Sequence, residues 1–359
     1  MMKAAVLKAF GTPLLIENLP NPLPGAGELV VDVVAAPVLS YANEVFSGAR
    51  QYPLLLPLAV GVGAIGQIRA VGPDATRIAP GDWVFCDPTV RARDEAVTPD
   101  IMLQGWIAPG VGAQRLQAHF RHGAFAEQML LPLENAVKLG PFNASDAGLW
   151  CALGTFLVPY GGLLAANLQA GETILISGAT GHFGSAGVAV ALAMGASYVI
   201  APGRNEATLA ELVRRFGSRV VPVVLTGEEA EDQQRMRQAA PVPIDKVLDI
   251  LPPLPDAAPV RAALLTVRPQ GTVVLMGGSQ VGLELPYAHL MRNSITVRGQ
   301  YMYPREAPAR LMALIRAGLL SLDDLQVTSF PLEQVNKAVD YAATTGGPFR
   351  YTIIQPGIV

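Results

Sequence analysis

The sequence predicts an α/β chain, a β-rich domain followed by a doubly wound parallel sheet, and three observations predict it. Residues 1 to about 150 are rich in Val, Leu, Pro and Gly, with short extended runs such as 29–34 and 83–85 cut by turns, the texture of a β domain. From about 152 to 300, strand patterns at 173–177, 198–201, 220–225, 246–250, 272–276 and 295–299 alternate with helical ones, which implies parallel strands joined by crossover helices. A glycine-rich turn joins the first of those strands to a helix expected over 185–194.

The division expected is 1–151, 152–300 and a tail, 301–359, with helices at 307–317 and 332–343 and a last strand, 350–354, that returns to the first domain. At 359 residues the chain can bury a core in each domain. With 51% hydrophobic and 15% charged residues it is not disordered. A net charge of −3 and the lack of a basic run exclude a nucleic-acid surface. Segment 173–203 holds no Asp, Glu, Lys or Arg; its glycines mark a buried sheet unit, so no membrane partner is expected. No signal peptide is evident at the N-terminus, and Cys86 and Cys151 form neither a C-x-x-C pair nor a disulfide framework, so a cytoplasmic protein with reduced thiols is expected.

The turn carries the functional information. Gly178, Ala179, Thr180, Gly181, His182, Phe183 and Gly184 connect a strand to a helix, and glycines in that setting let the backbone approach a pyrophosphate at the positive end of the helix. His182 and Phe183 are bulky for the middle of such a turn, and Ala179 stands where the first glycine of G-x-G-x-x-G would fall. After the next strand come Gly203, Arg204 and Asn205, with no carboxylate from 196 to 205 to bond a free ribose 2′-hydroxyl. Arg204 suits a 2′-phosphate, so the cofactor expected is NADP(H). A second glycine run, Gly61 to Gly66, matches the nominal pattern but is followed by a strand pattern, and is assigned a structural role.

The chain resembles the medium-chain dehydrogenase/reductase superfamily over nearly its whole length. The resemblance rests on Pro24 to Val31, Val71-Gly72-Pro73, Pro80 to Val84 and Gly123 to Glu127 in the first domain, and on Arg268 to Gly278 and Ile295 to Gly299 in the second. It implies a GroES-like catalytic domain and a Rossmann domain facing each other across a cleft, an oxidoreductase activity on a small molecule, and a homodimer paired through the strand at 295–299. It also implies that Thr155 touches the nicotinamide, while Gly277 and Gly278 close the strand 272–276, where the backbone can pass the nicotinamide ribose. For Thr155 the plain alternative is a helix hydroxyl bonded to its own backbone; for Gly277 it is an ordinary turn.

Departures from the zinc enzymes of that superfamily are as informative. Leu39 stands at a cysteine ligand position, Gly61-Val62-Gly63 replaces Gly-His-Glu, and only Cys151 falls near the third ligand; the segment 87–122, where a structural zinc would lie, has no cysteine. One thiol cannot hold an ion that needs three protein ligands, and His119 with His122 lacks a third ligand too. No metal is expected.

Without a Lewis acid, hydride transfer favours acceptors that take up charge readily, such as quinones and activated alkenes or carbonyls. Tyr41 is the leading proton-donor candidate, at the position of the Ser or Thr relay of the zinc enzymes, with a cleft-lining aromatic as its alternative. Ser40 and Glu44 are secondary. Trp106, Tyr287, Tyr301 and Tyr303 are aromatics that could line a substrate pocket, though each alone reads as packing. Three functions stay open: an NADPH-dependent, zinc-independent reductase of quinones or enones, a carbonyl reductase or alcohol dehydrogenase assisted by Tyr41, and a catalytically silent NADPH-binding sensor.

Overall fold

Runs of Val, Ile and Leu become strands, and the order in which they pair divides the chain in two. The computed structural model describes residues 1–357. Of the described residues the first unit comprises 1–154, 322–346 and 350–357, and the second 155–321 and 347–349. The boundaries thus fall at 154/155 and 321/322, against the expected 151/152 and 300/301.

In the first unit β1 (Glu28–Val38), almost wholly buried, is followed by the one-and-a-half-turn helix α1 (Ala42–Ser47), β2 (Ala64–Val71), β3 (Trp83–Cys86), β4 (Gln128–Pro132) and β5 (Ala136–Lys138). The run Gly61 to Gly66 leads directly into β2, an antiparallel strand that Ala64 opens, and no helix follows it.

The second unit opens with α2 (Leu153–Ala165), whose first two residues belong to the first unit. It continues through β6 (Thr173–Ser177), α3 (His182–Ala193), β7 (Tyr198–Gly203), α4 (Glu206–Phe216), β8 (Val220–Val224), β9 (Lys246–Asp249), β10 (Thr272–Leu275), β11 (Thr296–Gly299) and α5 (Ala307–Arg316). Six parallel strands lie in the order β8-β7-β6-β9-β10-β11. Leu175, Ile200, Val247 and Val273, from four strands, pack with Met236 and Leu264 into one apolar cluster. α3 is apolar on all sides and buried from Gly184 to Leu192, the pattern of a helix enclosed by its own domain. No single helix among the described residues is long and apolar enough to cross a membrane.

The tail then supplies β12 (Gln326–Pro331), α6 (Val335–Thr345) and β13 (Arg350–Gln355). β13 pairs antiparallel with β1 and parallel with β12, so the path β5-β3-β2-β1-β13-β12 is completed by the end of the chain, with β4 also on β1.

Candidate functional site

The glycine turn is built as a backbone cradle. Gly178 leaves β6 at φ +93°, which favours glycine, and its carbonyl accepts from the Gly181 amide at 2.9 Å. A side chain on Gly184 would place Cβ 1.9 Å from the Gly178 oxygen, so only glycine lets α3 start this close to the strand. The helix begins at His182, three residues before the expected Ser185, and ends at Ala193. His182 and Phe183 therefore belong to its first turn and stand outside the cradle's tightest contact, that of Gly184 with Gly178; their imidazole and phenyl rings meet edge to face at 5.5 Å.

No side chain caps α3, and the Ser185 amide donates to the Gly181 carbonyl at 2.9 Å to close its first turn. The amides ahead of Ser185 lie at the positive end of the helix, where intrahelical acceptors are lacking. Such an end suits an anion with several oxygens, and Ala179 and Thr180 wall the turn. Gly203, the last residue of β7 and not a residue beyond it, lies against Thr180: an added Cβ would come 2.4 Å from the threonine methyl. Arg204 follows, exposed and without an ion pair among the described residues. Asn205 is the N-cap of α4, its side chain accepting from the Thr208 amide at 3.0 Å, so its oxygen is engaged in ending the loop.

Thr155 is buried, and its hydroxyl lies 3.0 Å from His182 Nε2, while His182 Nδ1 lies 3.1 Å from the Gly347 carbonyl. A carbonyl only accepts, so Nδ1 carries the proton; burial lowers the imidazole's pKa and keeps it neutral. Nε2 then accepts from Thr155, whose hydroxyl proton is directed to a histidine and not to its own helix. Gly277 follows β10 by one residue after Met276, close to Asp249: an added Cβ would meet that carboxylate at 2.6 Å. Asp249 was not among the expected site residues; a carboxylate closing an apolar strand was the available signal.

In the first unit, Ser40 and Tyr41 form the turn between β1 and α1. Ser40 makes no hydrogen bond among the described residues. Tyr41 is half-buried, its ring 5.6 Å from Trp106 and 4.1 Å from the Arg50 guanidinium. Its hydroxyl is hydrogen-bonded with the Trp106 indole and with Tyr52, and desolvation by burial raises its pKa far above the usual phenol value. Tyr41 is thus held protonated, as a hydrogen-bond donor and not as an acid that parts easily with its proton. Glu44 is paired with Arg50 at 2.8 Å. Arg50, Tyr52 and Trp106 were not among the expected site residues, because their approach to Tyr41 depends on the fold. Of the other aromatics considered as pocket lining, Tyr303 is buried while Tyr287 and Tyr301 are exposed.

The residues do not fit a zinc ion. Leu39, Gly61, Val62 and Gly63 offer no side-chain ligand, and Cys151 by itself supplies one thiol where the ion needs three protein ligands. His119 bonds Glu28, and His122 Nδ1 accepts from the Ala59 amide at 3.1 Å. Among the described residues no three His, Cys, Asp or Glu side chains are placed to hold a metal. The cradle, by contrast, fits a dinucleotide: a glycine turn, an uncapped helix N-terminus and a strand end in βαβ order.

A β-rich domain and a doubly wound domain with such a cradle define a pyridine-nucleotide oxidoreductase. Residues 25–141 match the alcohol dehydrogenase GroES-like domain and 183–317 the zinc-binding dehydrogenase family. The chain belongs to the medium-chain dehydrogenase/reductase superfamily. It is 28% identical to an alcohol dehydrogenase of Moraxella sp. (strain TAE123) over 335 residues, covering 93% of this chain and 94% of that protein. It is 30% identical to the acryloyl-coenzyme A reductase of Metallosphaera sedula over 243 residues, 65% of this chain and 67% of the relative. In fold it is similar to a dehydrogenase of Sinorhizobium meliloti 1021 bound to NADP (TM-score 0.78, 20% identity) and to an alcohol dehydrogenase of E. coli CFT073 complexed with NADH (TM-score 0.79, 18% identity), each covering 99% of both chains.

Proposed function

We propose that the protein is an NADPH-dependent, zinc-independent reductase of quinones or activated alkenes and carbonyls. The observation that carries this reading is the pairing of an intact nucleotide cradle with a first unit whose zinc positions hold Leu39, Gly61, Val62 and Gly63. When bound, the reduced nicotinamide supplies a hydride. The chain's own residues bind and orient: the amides at the start of α3 receive the pyrophosphate, and Arg204, exposed at the end of β7, receives the 2′-phosphate. Thr155, Gly203 and Gly277 shape the seat, and Tyr41 offers its O–H to an oxygen that gains charge on reduction.

The relative named acryloyl-coenzyme A reductase supports an activated alkene as acceptor. The relatives named alcohol dehydrogenase favour a second reading, a Tyr41-assisted carbonyl reductase. The same pairing of an intact cradle with a first unit lacking zinc ligands also suits the silent sensor, which the absence of turnover with every acceptor would favour. An acceptor screen with NADPH and NADH, run with elemental analysis for zinc, tests these: oxidation of NADPH by a quinone or enone by zinc-free protein is the expected result, oxidation only by simple ketones supports the second reading, and turnover that tracks zinc content defeats the first. We also propose a homodimer in the cytoplasm; β11 is a sheet edge, with Tyr287, Met291 and Tyr301 exposed in the adjoining segments, and sedimentation of the purified protein as a monomer would refute the dimer.

A further inference from the structure

β9 ends on an acidic residue that the chemistry above does not use. Asp249 is 3% exposed, and a carboxyl in such a place is costly unless hydrogen bonds hold it. The amides of Leu251 and Gly277 favour its charged form; Oδ1 has no hydrogen-bond partner, and Oδ2 is the oxygen that an added Cβ on Gly277 would meet at 2.6 Å. Two backbone bonds run alongside, from Gly278 N–H to the Leu251 oxygen at 2.8 Å and from Met276 N–H to the Asp249 oxygen at 3.0 Å. The side chain therefore ties the loop after β9 to the loop after β10.

That tie stands beside the phosphate turn. Ser177, which ends β6, is the register partner of Asp249, and an added Cβ on Gly178 would come 3.2 Å from the Ile250 oxygen. β6 and β9 are the adjacent strands at which the strand order reverses, and open α/β sheets take ligands in the crevice beyond the carboxyl ends of strands at such a point. Among the described residues the surroundings offer no counter-charge: β6 contributes Ser177, β10 Leu275, α2 packs Gly162 on the neighbouring Leu248, and Asp256, the charged residue of the 250–257 loop, is exposed and bonded to the Ala258 amide.

We propose that Asp249 is a positioning residue of the nucleotide site, its carboxylate fixing the backbone at Leu251 and Gly277 along which the bound nucleotide runs beyond its pyrophosphate. This rests on the cradle being a dinucleotide site. Because Oδ1 has no partner and Oδ2 is the oxygen beside Gly277, asparagine can set its carbonyl at Oδ2 and its NH2 at Oδ1, keeping the contact without the charge. Alanine removes it.

The experiment titrates NADPH and NADH into the full-length protein and follows hydrogen exchange at 250–253 and 276–279. Asp249→Ala is expected to weaken binding of the preferred nucleotide at least tenfold and to speed exchange in both loops together, with Asp249→Asn staying within threefold of the parent. Gly277→Ala, which drives a methyl toward Oδ2, should reproduce the loss by a second route should the first variant not fold. Burial also pushes the carboxyl up to about 6 from 3.8. The native protein then binds a proton that the unfolded chain has released between those values, so stability should decline as pH rises from about 4 to about 6, a slope absent in Asp249→Asn. Undiminished binding by a folded Asp249→Ala would by itself overturn the inference and leave the site standing. A parent protein that binds neither nucleotide, with both loops protected, would overturn the site and the inference with it.

Discussion

The nucleotide cradle of the second unit and the surroundings of Tyr41 in the first are built from different materials. The cradle is backbone: Gly178, Gly181 and Gly184 lie within seven residues, and what they offer is amides, a helix end and the absence of side chains. The Tyr41 cluster is side chain: Arg50, Tyr52 and Trp106 converge on one phenol from well-separated stretches of the chain. A backbone site fails when atoms are added, and a side-chain site fails when atoms are removed.

The largest effect should come from addition. Gly184→Val drives a branched side chain into the Gly178 carbonyl, and a shift of the strand–helix contact costs about 1–3 kcal/mol or more; nucleotide binding should be lost by calorimetry, with a lower melting temperature. Next comes removal of the phenol oxygen. Tyr41→Phe keeps the ring on Trp106 and Arg50 and should cut kcat about 10²-fold if the hydroxyl serves the reaction, with the KM for NADPH nearly unchanged; steady-state kinetics showing full kcat would return Tyr41 to a lining role. Arg204→Ala should weaken NADPH by roughly tenfold, about 1.4 kcal/mol, the amount of an exposed charge-assisted hydrogen bond, while NADH affinity holds. Equal affinity for the two nucleotides in the parent would remove the assignment. Smallest is Ser40→Ala, which deletes a hydroxyl without partners among the described residues and should move kcat by less than about threefold.

The same contrast explains what the sequence could disclose. Strand–turn–helix order and the six-strand alternation were legible because period and glycine spacing are local, and the parallel sheet follows from them. The start of α3 was misplaced by three residues because bulky His182 and Phe183 look foreign to a phosphate turn, whereas in the first helical turn they have room. Thr155 was read as touching the cofactor or its own helix, and its partner proved to be His182, 27 residues on. Asp249 left one signal, a carboxylate closing an apolar strand, but its neighbours, the amides of Leu251 and Gly277, are ones that only the fold brings to it. The return of the chain was expected at 301, yet the second unit keeps it to Ser321, since α5 buries Leu311 and Met312 there.

The brief excursion at 347–349 has a consequence for synthesis. The Gly347 carbonyl accepts from His182 Nδ1, and Phe349, at φ +59°, lies under the Arg215 guanidinium at 4.1 Å and beside Phe216 at 5.7 Å. Three residues further on, Thr352 to Ile354 pair with β1. On the ribosome, neither half can be finished in order of emergence: β1, made early, waits for a late strand, and the imidazole made midway waits 165 residues for its acceptor. Maturation of both halves therefore ends together, and the nascent chain must be kept from aggregating until that late stretch has left the exit tunnel.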